Sequence, residues 1–258
     1  ITISSVSPIT IKEIGVIDTN QKLVVPMNSQ ESSIAAIFDE QNFVPDRQTF
    51  MNSTYFDEIY HARTAYEFIH SLDVYEWTHP PLGKLIIAIG VKLFGMVPFG
   101  WRFMGTLFGV LMIPVIYIFA KRLFNKSIFA AITCIIFTFD FMHFAQTRIA
   151  TIDVYVTFFI MLMYLFMYRY FTMSFYDTPL KKTLVPLGLC GLSMGLGIAT
   201  KWTGIYAGVG LAILFFITIY KRYSEYAYAK ANPHGETNGI SHKHIIDSFE
   251  TNTVRTIE

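Results

Sequence analysis

Charge is what this sequence has least of. Of its 258 residues only 15% are Asp, Glu, Lys or Arg, against 53% hydrophobic, whereas an ordinary soluble domain carries about 25% charged residues. That balance excludes a standard water-soluble domain and points to a bilayer as solvent for much of the chain. The formal net charge is +1, which excludes a nucleic-acid binder driven by phosphate neutralisation. Cysteine is scarce as well. Cys134 and Cys190 lie inside apolar runs, so we expect two buried thiols and neither a disulfide framework nor a metal spacing. An initiating Met, a signal-peptide pattern and an internal repeat are also missing. We therefore expect a piece of a longer protein, with membrane segments beyond it.

What is there falls into stretches of different character. Residues 1–50 show short β-like alternation at Ile9-Thr10-Ile11-Lys12 and Ile14-Gly15-Val16-Ile17, then a turn at Asp18-Thr19-Asn20-Gln21 before Leu23-Val24-Val25-Pro26. This predicts the end of a water-exposed β domain. Residues 51–101 read as an external loop carrying an acidic helix and a second helix. The acidic helix starts near Tyr55-Phe56-Asp57-Glu58, where Asp57, His61 and Thr64 share one face at 3.6 residues per turn. Thr54-x-x-Asp57 is also a capping-box pattern, so helix capping and chemistry both stand as readings of Asp57. Phe38-Asp39-Glu40 repeats the Phe-Asp-Glu string in a loop setting, and Asn52-Ser53-Thr54 is a formal glycosylation sequon placed at a helix start. Leu85 to Phe94, flanked by Lys84 and Lys92, is about half the ~20 residues a bilayer crossing needs. We read it as an interfacial helix.

Residues 102–222 read as a transmembrane bundle with spans at Phe103–Phe124, Ile128–Ala145, Ile152–Phe171, Leu184–Ala199 and Gly204–Tyr220. Lys121, Arg122 and Lys126 follow the first span, Lys181 and Lys182 the third, and Lys221 and Arg222 the fifth, which makes those connections cytoplasmic by the positive-inside rule. The acidic helix, the His79-Pro80-Pro81 turn, Arg102, the Arg148 to Asp153 connection and Lys201 then share the outer face. Residues 223–258, with His234, His242 and His244, read as a polar, unpatterned cytoplasmic loop or tail. Asp140, His143 and Thr147 form an i, i+3, i+7 stripe on the second span, where a charge costs about 2.5–3.5 kcal/mol on insertion scales.

Transfer of a group from a lipid phosphate in the outer leaflet uses all of these outward residues. A carboxylate takes the proton from an attacking hydroxyl, and cations hold the departing phosphate as charge develops on it. Asp57 fits the base, with Arg102, Arg148 and Lys201 as candidate cations. Asp57, Glu58, His61 and His79 are hard donors without a tight ligand spacing, and the expected chemistry needs no cofactor or bound metal.

In order along the chain, Phe56-Asp57-Glu58, Thr78-His79-Pro80-Pro81-Leu82-Gly83-Lys84, Arg102, Arg148-Ile149-Ala150-Thr151-Ile152-Asp153 and Ala199-Thr200-Lys201-Trp202-Thr203-Gly204 resemble the protein O-mannosyltransferase family. The resemblance runs from about Tyr55 to Tyr220 and is most specific in His-Pro-Pro-Leu-Gly-Lys. It implies an all-α polytopic membrane protein with a GT-C-like helix bundle, here preceded by the end of a small extracytoplasmic β domain, as in some bacterial relatives. It implies a polyprenyl- or dolichyl-phosphate-mannose donor, a protein Ser/Thr acceptor and inversion at the sugar. Asp57 matches the family's catalytic aspartate and Glu58 its partner. Arg102 matches an important arginine at a span start, and Asp153 the aspartate of a Leu-Leu-Asp-like signature whose flanks differ here. His79, Arg102, Arg148, Asp153 and Lys201 are the substrate-binding candidates. The expected location is a multi-pass plasma membrane with an extracytoplasmic active face, or the endoplasmic reticulum membrane in a eukaryote. Two other readings stand beside this one: a related transferase for another lipid-linked sugar or another acceptor, and a non-enzymatic transporter or lipid-binding protein, against which the lack of internal repeats argues.

Overall fold

The structure, a computed structural model, describes residues 14–20, 22–24, 49–174 and 180–257. The chain divides into two units, residues 1–54 and 55–258. In the first, β1 (Val16–Ile17) and β2 (Leu23–Val24) pair antiparallel, with Val16 opposite Val24 and Ile17 opposite Leu23. Asp18 makes the intervening turn, its Oδ1 accepting from the backbone N–H groups of Asn20 and Lys22, both at 2.8 Å. The alternation at residues 9–12 and the repeated Phe38-Asp39-Glu40 lie outside the described residues.

The second unit is helical, and its helices are α1 (Glu58–Ile69), α2 (Leu82–Phe94), α3 (Pro98–Phe124), α4 (Ser127–Thr138), α5 (Phe141–Gln146), α6 (Asp153–Thr172), α7 (Leu180–Thr200), α8 (Gly204–Ala231) and α9 (His242–Ile257). A hairpin of β3 (Glu236–Thr237) and β4 (Ile240–Ser241) precedes α9. Four helices, α3, α6, α7 and α8, are long and apolar enough to cross a membrane. This is a multi-pass membrane protein. Pro114 in α3 and Pro186 in α7 sit inside helices, which membrane helices tolerate when neighbours re-satisfy the freed carbonyls.

The 128–145 stretch, expected as one span, is two helices. Asp140 is the reason: its carboxylate accepts the N–H of His143 at 2.8 Å and caps α5, because a short acidic side chain competes for backbone donors. Asp140 is exposed at this junction, so the expected stripe through a single span does not form. His143 turns to the Gly109 carbonyl at 3.2 Å.

α6 is the axis of the bundle and packs on α3, α7 and α8. Its first half, with Tyr155 and Phe159, joins a core of Ala62, Ile87, Trp101 and Ile152 that binds α1 and α2 to the span starts. Its second half, with Met163, Met167 and Tyr170, packs on Cys190 and Leu211. One end of the bundle therefore gathers α1, α2, the starts of α3, α6 and α8, and the end of α7. At the other end Tyr168 donates to the Arg122 carbonyl at 3.3 Å and Arg222 donates to the Tyr170 hydroxyl at 3.0 Å. Outward apolar side chains such as Val110, Ile136, Ile213 and Phe216 remain exposed, as lipid-facing positions do.

Two further expectations change. Lys84, read as a flanking cation of α2, is 1% exposed, while the opposite face of α2 exposes Leu85, Ile89 and Leu93. The stretch after Tyr223 is ordered: α8 continues to Ala231, and α9 packs back on it through stacked Tyr226 and Phe249, 4.2 Å between ring centroids. No helix breaker interrupts residues 223–231, and Asn238 and Gly239, both with positive φ, supply the Asn-Gly turn that a two-residue hairpin demands.

Candidate functional site

The site begins with the turn into α1. Phe56 adopts the left-handed conformation, φ 54, which costs a bulky residue about 1–2 kcal/mol, and Asp57 and Glu58 leave this turn in different directions. Glu58 is fully buried. Its carboxylate accepts Arg102 Nε at 2.7 Å and Nη2 at 2.6 Å, the Ala150 N–H at 2.8 Å and the Tyr55 N–H at 2.7 Å. The last of these is the reciprocal arm of a capping box, displaced by one residue. Asp57 occupies the N-cap position but makes no capping hydrogen bond. Capping thus falls to Glu58 and leaves the half-buried Asp57 carboxylate to the adjacent cavity.

That cavity, about 400 Å³, is lined by Asp57, Tyr60, His61, Glu76, Trp77 and His79 among others, and its size lies within the range of small-molecule sites. Its far wall is the loop between α1 and α2, which is pinned twice. Glu67 holds one end by accepting the Tyr75 N–H at 3.0 Å, while also taking Arg63 Nε at 2.7 Å. Lys84 holds the other end, donating to the carbonyls of Glu76 at 2.8 Å and His79 at 3.3 Å and pairing with the Glu76 carboxylate. The lysine of His-Pro-Pro-Leu-Gly-Lys is therefore the clamp on the segment that carries the histidine. Burial of Glu76 opposes its ionisation, but hydrogen bonds from Lys84 and Thr78 outweigh that and bring its pKa down to about 2. Burial lowers His61 to about 4, with the Lys84 charge acting in the same direction and Glu76 and Asp57 against it. His61 is neutral near pH 7.

Gly83 explains how this wall reaches the span starts. A Cβ there would stand 2.7 Å from Ile152 Cγ2 and 3.0 Å from Thr200 Cγ2, so only glycine lets α2 approach both. The next residues along those segments, Asp153 and Lys201, pair at 2.7 Å with Asp153 half exposed. Arg148 is exposed and stacks on Phe144, its guanidinium carbon 4.1 Å from the ring centroid. The structure thus places Asp57 with His79 at the cavity, Glu58 with Arg102 and Asp153 with Lys201, while Arg148 rests on the Phe144 ring. Among the described residues, no group of three or more His, Cys, Asp or Glu side chains forms a metal-binding cluster. Sequence reasoning missed Glu76 and the clamping role of Lys84. A lone glutamate before Trp77 carries no local signal, and its partner is known only once the loop is folded.

Residues 78–231, more than half of the chain, match the sequence profile of the dolichyl-phosphate-mannose-protein mannosyltransferase family. The chain belongs to this family. Proteins named polyprenol-phosphate-mannose--protein mannosyltransferase are similar to it: that of Mycolicibacterium smegmatis is 30% identical over 186 residues, 62% of this chain and 34% of the relative. The Mycobacterium tuberculosis protein is 28% identical over 189 residues, with the same shares covered. The Corynebacterium glutamicum protein is 26% identical over 225 residues, 78% of this chain and 41% of the relative. The chain spans about a third of the length of the mycobacterial relatives. No solved structure matches it. The segment matched to the mannosyltransferase family contains His79, Lys84, Arg102, Arg148, Asp153 and Lys201 but begins after Asp57 and Glu58. Glu58 is nonetheless tied into that segment through Arg102 and Ala150.

Proposed function

We propose that this chain carries the catalytic end of a membrane glycosyltransferase that moves mannose, with inversion, from a polyprenyl- or dolichyl-phosphate donor to Ser or Thr hydroxyls of proteins. The observation that carries the reading is the division of labour between adjacent carboxylates: Glu58 is saturated by four hydrogen bonds, and Asp57, without a capping bond, lines the cavity. Asp57 takes the proton of the attacking hydroxyl as that oxygen bonds to the anomeric carbon. The bond from that carbon to the phosphate oxygen breaks, and the phosphate leaves as an anion that needs no general acid. Lys201 and Arg148 are the cations we assign to that phosphate. Arg102 supports the reaction through Glu58.

The basic residues Lys121, Arg122, Lys181, Lys182, Lys221 and Arg222 belong to the bundle end away from Asp57, and the positive-inside rule puts that end in the cytoplasm. Asp57 then faces the extracytoplasmic side. The test is transfer by the full-length protein and its Asp57→Asn variant, using lipid-phosphate-mannose and a Ser/Thr peptide. We expect the variant to lose about 10²–10⁴-fold in rate, and wild-type-like transfer by it would remove the base assignment. Transfer of a different lipid-linked sugar but not mannose would select the related transferase instead.

A further inference from the structure

Two histidines in the cavity wall carry imidazole nitrogens that have no use in the mechanism above. His61 Nδ1 and His79 Nδ1 are both buried and have no hydrogen-bond partner, and their rings stand 6.3 Å apart between centroids. His61 is 4% exposed and lies one helical turn after Asp57, so both face the same cavity. A buried polar atom left without a partner is costly, and a ligand that reaches both would relieve two such atoms at once.

The rest of the lining says which part of the substrate belongs there. Asp57 and Glu76 are acidic, Tyr60, Tyr75 and Trp77 are aromatic, and none of the described lining residues is Lys or Arg. Lys84 behind the wall is taken by Glu76. A phosphate would meet carboxylates here. A neutral polyol would meet acceptors and aromatic faces, with Trp77 78% exposed at the rim. Resting on the mannosyltransferase reading, we propose that His61 and His79 form the subsite for the transferred hexose, their Nδ1 atoms hydrogen-bonding its ring hydroxyls and so selecting among sugars. Neutral imidazole suits that task because it offers one donor and one acceptor, and burial keeps His61 in this form. The sugar then lies beside Asp57, and the phosphate points away toward the cationic residues.

The test uses the full-length protein in membranes, a Ser/Thr peptide, lipid-phosphate-mannose and its deoxy-mannose analogues. We expect His61→Phe to lower kcat/KM with the mannosyl donor about tenfold, and His61→Asn to recover most of that, since its amide reaches the position of Nδ1. At least one deoxy donor is slow with wild type and no slower with His61→Phe, because the hydroxyl and its partner are one contact. Should His61→Phe fail to accumulate, the same comparison is read on His79→Phe. Wild-type kinetics for the Phe variant, or equal deoxy penalties in wild type and variant, would overturn the subsite while leaving the mannosyltransferase reading intact. Absence of mannosyl transfer by wild type would overturn the reading itself.

Discussion

Glu58 and Arg102 meet head to head through paired hydrogen bonds of 2.7 and 2.6 Å, across 44 residues of chain, with the Glu58 side chain fully buried and the Arg102 side chain 8% exposed. Removing one partner strands the other charge, which costs about 3–5 kcal/mol in comparable buried pairs. Glu58→Gln and Arg102→Met should each lower the Tm of the detergent-solubilised protein. The double variant should be more stable than the sum of the single losses, and simple additivity would show that the two side chains do not depend on each other.

Asp57 should behave in the opposite way. It makes no capping hydrogen bond, so Asp57→Asn changes stability by no more than about 0.5 kcal/mol. A thermal melt run beside the transfer assay checks this: a large drop in Tm would return Asp57 to a structural role.

Lys201 and Asp153 pair at 2.7 Å, but half of the Asp153 side chain is exposed, and such pairs contribute about 0–1 kcal/mol. Lys201→Ala should therefore leave the melting curve almost unmoved while raising KM for the lipid donor several-fold. An equal KM with a lowered Tm would make the pair purely structural.

Acid should loosen the cavity wall in two stages. The pKa of His61 is lowered from 6.5 to about 4 by burial, so below pH 6.5 the unfolded chain binds a proton that the folded chain refuses. Stability then falls with pH down to about 4. Glu76 is lowered from 4.5 to about 2, so its contribution is complete above 4.5 and is lost from there toward 2. Each group acts with a slope of at most about 1.4 kcal/mol per pH unit. Tm measured between pH 7 and 4.5 should fall, and His61→Asn should flatten that limb. The groups that set the His61 value are Asp57, Glu76, Lys84 and His79; an unchanged slope in the variant would shift the effect onto other groups.

Much of this architecture was legible because membrane helices declare themselves by length and apolarity. α3, α6, α7 and α8 each contain a stretch read as a span. Asp140 was misleading for a local reason: hydropathy averages across a single acidic residue, whereas a cap acts at one backbone position. Lys84 misleads because two lysines around an apolar stretch look like interfacial anchors until the loop at Glu76 folds over one of them. The site was partly legible. Asp57 and Lys201 could be placed on one end from loop charges, but the bond from Ala150 to Glu58 joins residues 92 apart, and nothing local announces it. The Asn238-Gly239 turn was a readable signal that the polar character of its surroundings obscured.

The wiring of Glu58 also constrains biogenesis. Its partners include Arg102 at the start of the first span and the N–H of Ala150 just before α6. A ribosome delivers these 44 and 92 residues after the carboxylate. Without those two donors a buried Glu58 carboxylate would be a costly unpaired charge, so burial of this face of α1 depends on both later segments. α1 is therefore fixed at this end by two segments that both follow it in the chain.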